Sequence, residues 1–173
     1  MNFILKYEYR TKFNLDYRTL AEHMWFDTFQ GQPIDINHYG GNELLNVNHV
    51  FGLRWNKWAN DQRWAKKEYS WTAEDIELTR FKKIPTNLFV TTTHKKVLSV
   101  DERALYRFIY ALTAPVAAWI SSDDGDTWQT PEEFKKEHRL LMNMKFELAN
   151  EMSLVESETL SPEEEEDRDD VVY

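Results

Sequence analysis

The sequence contains no cysteine among its 173 residues. Disulfide bonds, thiolate metal sites and cysteine nucleophiles are therefore excluded, and this composition suits a reducing compartment. Glycine is also scarce: the chain has five, and none belongs to a glycine-rich loop of the kind that cradles a phosphate group. No apolar run approaches the roughly 18 residues that a membrane-spanning helix needs, so we expect a soluble, cytoplasmic protein without a membrane partner.

The apolar content is nevertheless sufficient for a folded core. Hydrophobic residues make up 42% of the chain and aromatic residues 14%, which excludes disorder along the whole length. We expect one globular domain over residues 1–155. From Glu156 onward the sequence is rich in Glu and Asp without an apolar face, and it predicts an acidic, disordered tail over residues 156–173.

Charge is divided unequally along the chain. Residues 1–118 carry 16 Lys and Arg against 13 Asp and Glu, a net charge of +3. Residues 119–173 carry 5 against 17, a net charge of -12, which together with the first part gives the total of -9. A chain with a basic first part and a strongly acidic second part is typical of a binding protein.

The patterning predicts an α+β fold that is dominated by about five helices and has a small antiparallel sheet. Phe3, Leu5 and Tyr7 recur at every second position with Lys6 and Glu8 on the opposite face, which indicates a half-buried strand, and residues 87–93 predict a second strand that pairs with it. Asp16 is a candidate N-cap for a first helix. Helical spacing predicts a further helix over about 50–69, and Thr72 to Asp75 resembles a capping box that predicts another over about 72–81.

Capping signals predict the starts of two later helices. Ser99 to Glu102 precedes apolar residues at helical spacing, which predicts a central buried helix over about 99–119 that is broken near Pro115. Thr130 and Pro131 predict the start of a last helix. Along that helix four apolar residues recur every seven positions, as in packing along a partner helix from the same domain or from another chain. They are Phe134, Leu141, Leu148 and Val155.

No catalytic motif is present, and we predict no catalytic residue, no metal site and no cofactor. The five histidines are scattered, and none has a second histidine three or four residues away. Asp123, Asp124 and Asp126 surround a glycine, but an EF-hand loop would need Gly and Glu where the chain has Trp128 and Phe134. The three aspartates are better explained as a solvated turn.

Tryptophans and basic residues alternate over residues 54–67. Exposed tryptophans would stack on unpaired bases while the cations neutralise phosphates. Trp55 and Trp58, however, share a predicted helix face with Phe51 and are expected in the core, whereas Trp64 lies off that face and is expected to be exposed. The candidate interaction residues are therefore Arg54, Lys57, Arg63, Trp64, Lys66 and Lys67 in this segment, with Asp123, Asp124, Asp126 and Trp128 in the acidic part.

These features favour a non-catalytic protein-interaction factor, such as an inhibitor, an adaptor or an assembly accessory protein. It would dock on another protein or assembly through acidic and aromatic surfaces, and an assembly that handles nucleic acid suits the acidic second part. One alternative is a module that binds nucleic acid directly through residues 54–67, against which the net negative charge argues. Another is an enzyme whose Asp, Glu and His residues converge only in the fold. The sequence does not define the oligomeric state.

Overall fold

Six antiparallel strands form one sheet in the part of the chain that the structure describes. The structure is a computed structural model, and it describes residues 1–9, 12–13, 16–27, 35–40, 50–80 and 83–161. The strands are β1 (Asn2–Tyr7), β2 (Ile36–Tyr39), β3 (Val50–Trp55), β4 (Asp75–Arg80), β5 (Asn87–Thr92) and β6 (Ala118–Ser121). Their spatial order is β2-β3-β4-β5-β1-β6.

Seven α-helices accompany the sheet within the same residues. They are α1 (Tyr17–Trp25), α2 (Lys57–Asn60), α3 (Tyr69–Thr72), α4 (Ser99–Thr113), α5 (Pro131–Glu137), α6 (Arg139–Met142) and α7 (Phe146–Thr159). A single 3₁₀ turn, Trp64–Lys66, lies between α2 and α3. Of the described helices, none is long and apolar enough to cross a membrane.

The expectation of a small sheet is wrong. The segments predicted as helices over 50–69 and 72–81 contain β3 and β4, which pair with each other in the middle of the sheet. In β3, Phe51, Leu53 and Trp55 are fully buried, so the apolar period is two rather than 3.6. The helical spacing from Phe51 through Trp55 to Trp58 is coincidental, because Trp58 lies in α2 and is 44% exposed.

β1 is confirmed as a half-buried strand. It pairs with β5, as predicted, and on its other side with β6. Leu5 and Tyr7 are buried, and the Tyr7 hydroxyl donates to the Leu112 carbonyl in α4 at 3.4 Å, so this face of the sheet lies against the helix. Lys6 is exposed on the opposite face of the sheet.

A close approach of ring and backbone ties β2 to the sheet. Tyr39 in β2 lies opposite Gly52 in β3, and a Cβ atom added to Gly52 would lie 2.1 Å from the Tyr39 Cζ atom. The ring therefore crosses β3 over the glycine, and its hydroxyl donates to Glu77 in β4 at 2.6 Å. Burial and this hydrogen bond raise the pKa of the Tyr39 hydroxyl.

α4 is the central buried helix, as predicted. Its apolar face is fully buried, and the residues on it are Leu105, Phe108, Ile109 and Leu112. Two details of the prediction are wrong. Ser99 does not cap the helix with its side chain, since the N-cap is Leu98. The helix also ends at Thr113, and Trp119 lies in β6.

α1 begins as the sequence predicts and is anchored at its end by α4. The Asp16 carboxylate accepts a hydrogen bond from the Thr19 N–H at 3.0 Å, which confirms the N-cap. At the other end, the fully buried Arg103 donates to the carbonyls of Met24 and Trp25. The guanidinium thus binds carbonyl groups that the helix itself leaves unpaired.

The helix start at Thr130 is confirmed, but the long last helix is not. Thr130 and Glu133 exchange hydrogen bonds at the start of α5, and the chain then bends twice to give α6 and α7. Phe134 is buried in the core, whereas Leu148 and Val155 in α7 are exposed. α7 continues to Thr159, so the segment predicted as a tail begins inside this helix, and residues 162–173 lie outside the described residues.

Candidate functional site at the edge of the sheet

The structure gives most of the predicted basic segment internal partners. Arg54 forms a bidentate ion pair with Asp75 across β3 and β4. Arg63 pairs with Asp61 and with Glu151 in α7, each at 2.7 Å. Lys67 pairs with Glu158 at 2.9 Å and also donates to the Leu154 carbonyl. Lys66, another basic residue of this segment, is exposed.

Lys57 and Trp64 are core residues, and the expected exposure of Trp64 is wrong. Both are fully buried, and the Lys57 ammonium lies 5.3 Å from the centre of the Trp64 ring. Lys57 forms an ion pair with Asp101 in α4 at 2.6 Å. The Trp64 Nε1 donates to the Asn150 amide oxygen in α7 at 2.9 Å. These two residues therefore attach the segment to the helices and are not available for a partner.

A second buried polar pair, His94 and Glu74, lies near the Lys57–Asp101 ion pair. His94 Nδ1 lies 2.6 Å from Glu74 Oε2, and both side chains are less than 5% exposed. The other oxygen of Glu74 accepts the backbone N–H of Thr93 at 2.6 Å. Burial raises the pKa of Glu74, although the hydrogen bond with His94 opposes this shift. The pair is enclosed and hydrogen-bonded, which is typical of a structural pair.

No group of three or more His, Asp or Glu side chains in the described ranges is arranged to hold a metal ion. In the turn after β6, Asp123 accepts hydrogen bonds from residues of the same turn. Asp123 accepts hydrogen bonds from the Thr127 N–H and hydroxyl and from the Ser121 hydroxyl, and these lower its pKa to about 2. Asp123 therefore organises the turn itself. Asp124 and Asp126 are exposed and form no ion pair within the described part of the chain.

The turn after β6 is held in one conformation by its own hydrogen bonds. The Ser121 hydroxyl accepts the Gly125 N–H at 2.9 Å. Asp124 and Gly125 have φ angles of 57° and 98°; glycine adopts such a conformation at little cost, and aspartate is one of the few other residues that tolerate it. The chain then returns beside β6, where Ile120 and Gln129 exchange two backbone hydrogen bonds. This bridge fixes the position of Trp128, the residue before Gln129.

An open hollow of about 480 Å³ lies beside Trp128. Its lining combines two tryptophans with charged and polar residues from β1, β6 and the turn before β5; these are Lys6, Tyr7, Glu8, Thr86, Trp119 and Trp128. Trp119 and Trp128 are each 36% exposed. Because β6 is an edge strand, the hollow lies at the margin of the sheet.

Lys6 lies next to both tryptophans of the hollow. Trp119 lies directly opposite Lys6 in the β1–β6 pairing, so both residues are on the sheet face that points away from α4. The Lys6 ammonium lies 5.4 Å from the centre of the Trp128 ring, a cation–π contact. On its other side the Trp128 ring approaches Gly125, where an added Cβ would lie 3.5 Å from Trp128 Cζ2.

Of the predicted interaction residues, the structure brings Trp128 and the aspartates of the acidic turn together at this edge. The prediction did not include Trp119, Lys6 and Glu8. The helical spacing of the apolar residues in α4 continues to Trp119, so the sequence predicts Trp119 on the buried face of that helix. Residues 116–120 are all apolar, so no alternation in the sequence marks Trp119 as exposed; the pairing of β6 with β1 buries Ala118 and Ile120 and leaves Trp119 on the outer face.

Comparison of the chain with protein-family models, with curated proteins and with solved structures found no match. The function is therefore inferred from the geometry of the chain itself.

Proposed function

We propose that this chain is a non-catalytic protein-interaction factor that docks on a partner protein or assembly through the hollow between Trp119 and Trp128. The observation that carries the proposal is the presence of two partly exposed tryptophans beside one hollow of about 480 Å³. We further propose that it acts in the cytoplasm as an inhibitor, an adaptor or an assembly accessory protein, a location that the absence of cysteine supports.

Tryptophan is enriched among the residues that contribute most of the binding energy in protein interfaces, because one ring buries a large area at low entropic cost. Here the contact of Trp128 with Lys6 and Gly125 reduces that cost further, since the ring is positioned before a partner arrives. Polar groups such as Thr86 at the margin are suited to the hydrogen-bonded rim of an interface.

The charge around the hollow indicates the chemistry of the partner. Glu8 lines the hollow, and Asp124 and Asp126 flank the glycine that contacts Trp128. Lys6 is the only cation that lines it among the described residues. A partner segment with Lys or Arg side chains beside an apolar group would complement this surface, and the charges would accelerate its association.

Direct binding of nucleic acid is supported less well. It requires unpaired cations along a groove, whereas Lys57 is buried and Arg54, Arg63 and Lys67 form ion pairs with carboxylates. An acidic interaction factor for an assembly that handles nucleic acid remains part of the proposal, because a fixed set of carboxylates resembles phosphate to a cationic surface.

The proposal is tested by photo-crosslinking in the cells that produce the protein. A benzophenone amino acid is introduced at position 119 or 128, and at position 58 as the matched control, because Trp58 is also exposed but lies in α2. We expect the same protein adduct from positions 119 and 128, and no such adduct from position 58. A charge-reversing change of Asp124 and Asp126 to Lys should reduce the yield.

Two results of these experiments would count against the proposal. Adducts from position 58 that equal those from 119 and 128 would contradict the assignment of the hollow as the docking site. Binding of a single-stranded oligonucleotide that is lost when Lys66 is changed to Glu would favour the nucleic-acid module instead.

A further inference from the structure

The outer face of α7 carries an apolar stripe that its own core does not use. Leu148, Met152 and Val155 are 54%, 37% and 64% exposed. Their spacing of four and three residues puts them in one row along the helix, about 10 Å long. The opposite face of α7 packs on the protein, and its buried residues are Ala149, Asn150, Ser153 and Leu154.

A row of carboxylates follows one side of this stripe. Glu147, Glu151 and Glu158 are exposed and recur at spacings of four and seven residues. α7 carries one further glutamate, Glu156, and no Lys or Arg. Arg63 and Lys67 contact two of these carboxylates, but the four glutamates of α7 outnumber these two cations, so the helix keeps an excess of negative charge. The surface therefore combines an apolar centre with an acidic margin.

The geometry selects a helix as the occupant. The backbone groups of α7 are already paired within the helix, so the surface offers no edge to which a strand would add. A row at helical spacing is instead matched by a second row at the same spacing on another helix. The seven-residue recurrence of Leu148 and Val155 is thus explained by a partner outside the described residues.

The charge of α7 indicates whether the helix that packs on it belongs to a second copy of this chain or to a different protein. In an antiparallel pair of α7 helices, the glutamate row of one copy would face the glutamate row of the other, and like charges in such a position destabilise the pair. A helix whose apolar row is flanked by Lys or Arg complements the same margin.

We propose that the outer face of α7 is a second docking site, independent of the tryptophan hollow, and that it takes a cationic amphipathic helix of a partner protein. The hollow lies on the sheet face that points away from α4, whereas α7 packs against α4 on the other face. A chain with both sites would join two partners.

The test uses the full chain and two designed helical peptides of about three heptads. Both have leucine at the positions that match the stripe; one has Lys at the flanking positions and the other has Glu. Kd is measured by fluorescence anisotropy at low and high salt. The variant is Leu148→Gln with Val155→Gln, which keeps good helix formers in α7. The matched control is Ile84→Gln, because Ile84 is 50% exposed but lies between β4 and β5.

We expect the Lys peptide to bind at least about tenfold more tightly than the Glu peptide, and to lose about tenfold in affinity with the double variant but not with Ile84→Gln. High salt should weaken binding. Equal Kd values for the two peptides, or for the double variant and the wild type, would overturn the proposal. A dimer in sedimentation that the double variant dissociates would overturn it too, as would binding that appears only after residues 162–173 are removed.

Discussion

The indole Nε1 of Trp64 donates a hydrogen bond of 2.9 Å to the side-chain oxygen of Asn150, and both residues are buried. The Asn150 amide group donates in turn to Asp61 at 2.9 Å. This chain of hydrogen bonds joins the segment after β3 to α7, which is 86 residues away in sequence from Trp64. It explains why the basic segment is held against an acidic helix.

We predict that Asn150→Ala destabilises the protein by about 1–3 kcal/mol, because it leaves a buried indole N–H without an acceptor. The measurement is the free energy of unfolding in urea. Thr159→Ala, at the exposed end of the same helix, is the control and should change it by less than about 0.5 kcal/mol. Equal effects of the two substitutions would contradict the role of the Trp64–Asn150 bond.

A second prediction concerns Glu156, which lies where the sequence predicted the start of the tail. Its carboxylate accepts both the backbone N–H of Ser99, at 2.8 Å, and the Ser99 hydroxyl, so it caps α4 from outside. Glu156→Ala should therefore cost about 1 kcal/mol. Truncation after Val155 should lower the thermal midpoint clearly, whereas truncation after Ser161 should leave it nearly unchanged, because residues 162–173 are mostly acidic and offer little apolar area. Equal midpoints for the two truncations would count against this cap.

A third prediction is a dependence of stability on pH through Asp27. Desolvation raises the pKa of this carboxyl, but the hydrogen bond from the Phe146 N–H and the guanidinium groups of Arg103 and Arg107 outweigh it, so the pKa lies below the usual value. Ionised Asp27 therefore stabilises the fold above the unfolded-state pKa of about 4. This stabilisation is lost as pH falls through the lower pKa of the folded state.

Asp27→Asn should accordingly reduce stability at pH 7 by about 1–2 kcal/mol, an estimate kept small because the carboxyl is about a third exposed and screened. The difference from the wild type should shrink as the solution is acidified. Urea unfolding over a pH series measures it, with Asp126→Asn as a control for the loss of one negative charge. A difference that stays constant from pH 7 to strongly acidic solution would refute this linkage.

A fourth prediction tests the core. Phe108 is fully buried in α4, and Phe108→Ala should cost about 3–5 kcal/mol through lost apolar burial and the cavity that remains. Calorimetry or urea unfolding measures the loss. A folded variant with unchanged stability would show that this face of α4 is not the centre of the core.

The elements that the sequence predicted correctly are those whose signals are local. Asp16 and Thr130 bind the first N–H groups of their own helices, so the starts of α1 and α5 depend on contacts three residues away. In β1, Phe3, Leu5 and Tyr7 recur at every second position, so the period of two is contained in the strand itself. Phe108 lies in a run of apolar residues at helical spacing that is long enough to exclude a strand.

The elements that were missed depend on partners far away in sequence. β3 admits both periods, because Phe51, Leu53 and Trp55 alternate while Phe51 and Trp55 also match a helix. Its pairing with β4 decides between them, and that pairing is visible only in the fold. The hollow also depends on residues far apart in sequence. Trp128 is a candidate from the sequence, but only the pairing of β6 with β1 places Trp119 beside the same hollow.

The contact between the Tyr39 ring and Gly52 has a consequence for the evolution of this chain. The ring occupies the space where any other residue at position 52 would place its first carbon. The two positions should therefore change together: a relative with a larger residue at 52 should have a small residue at 39, and should lose the hydrogen bond that the Tyr39 hydroxyl donates to Glu77. Such coupled substitutions would show that the space over position 52 is shared between β2 and β3.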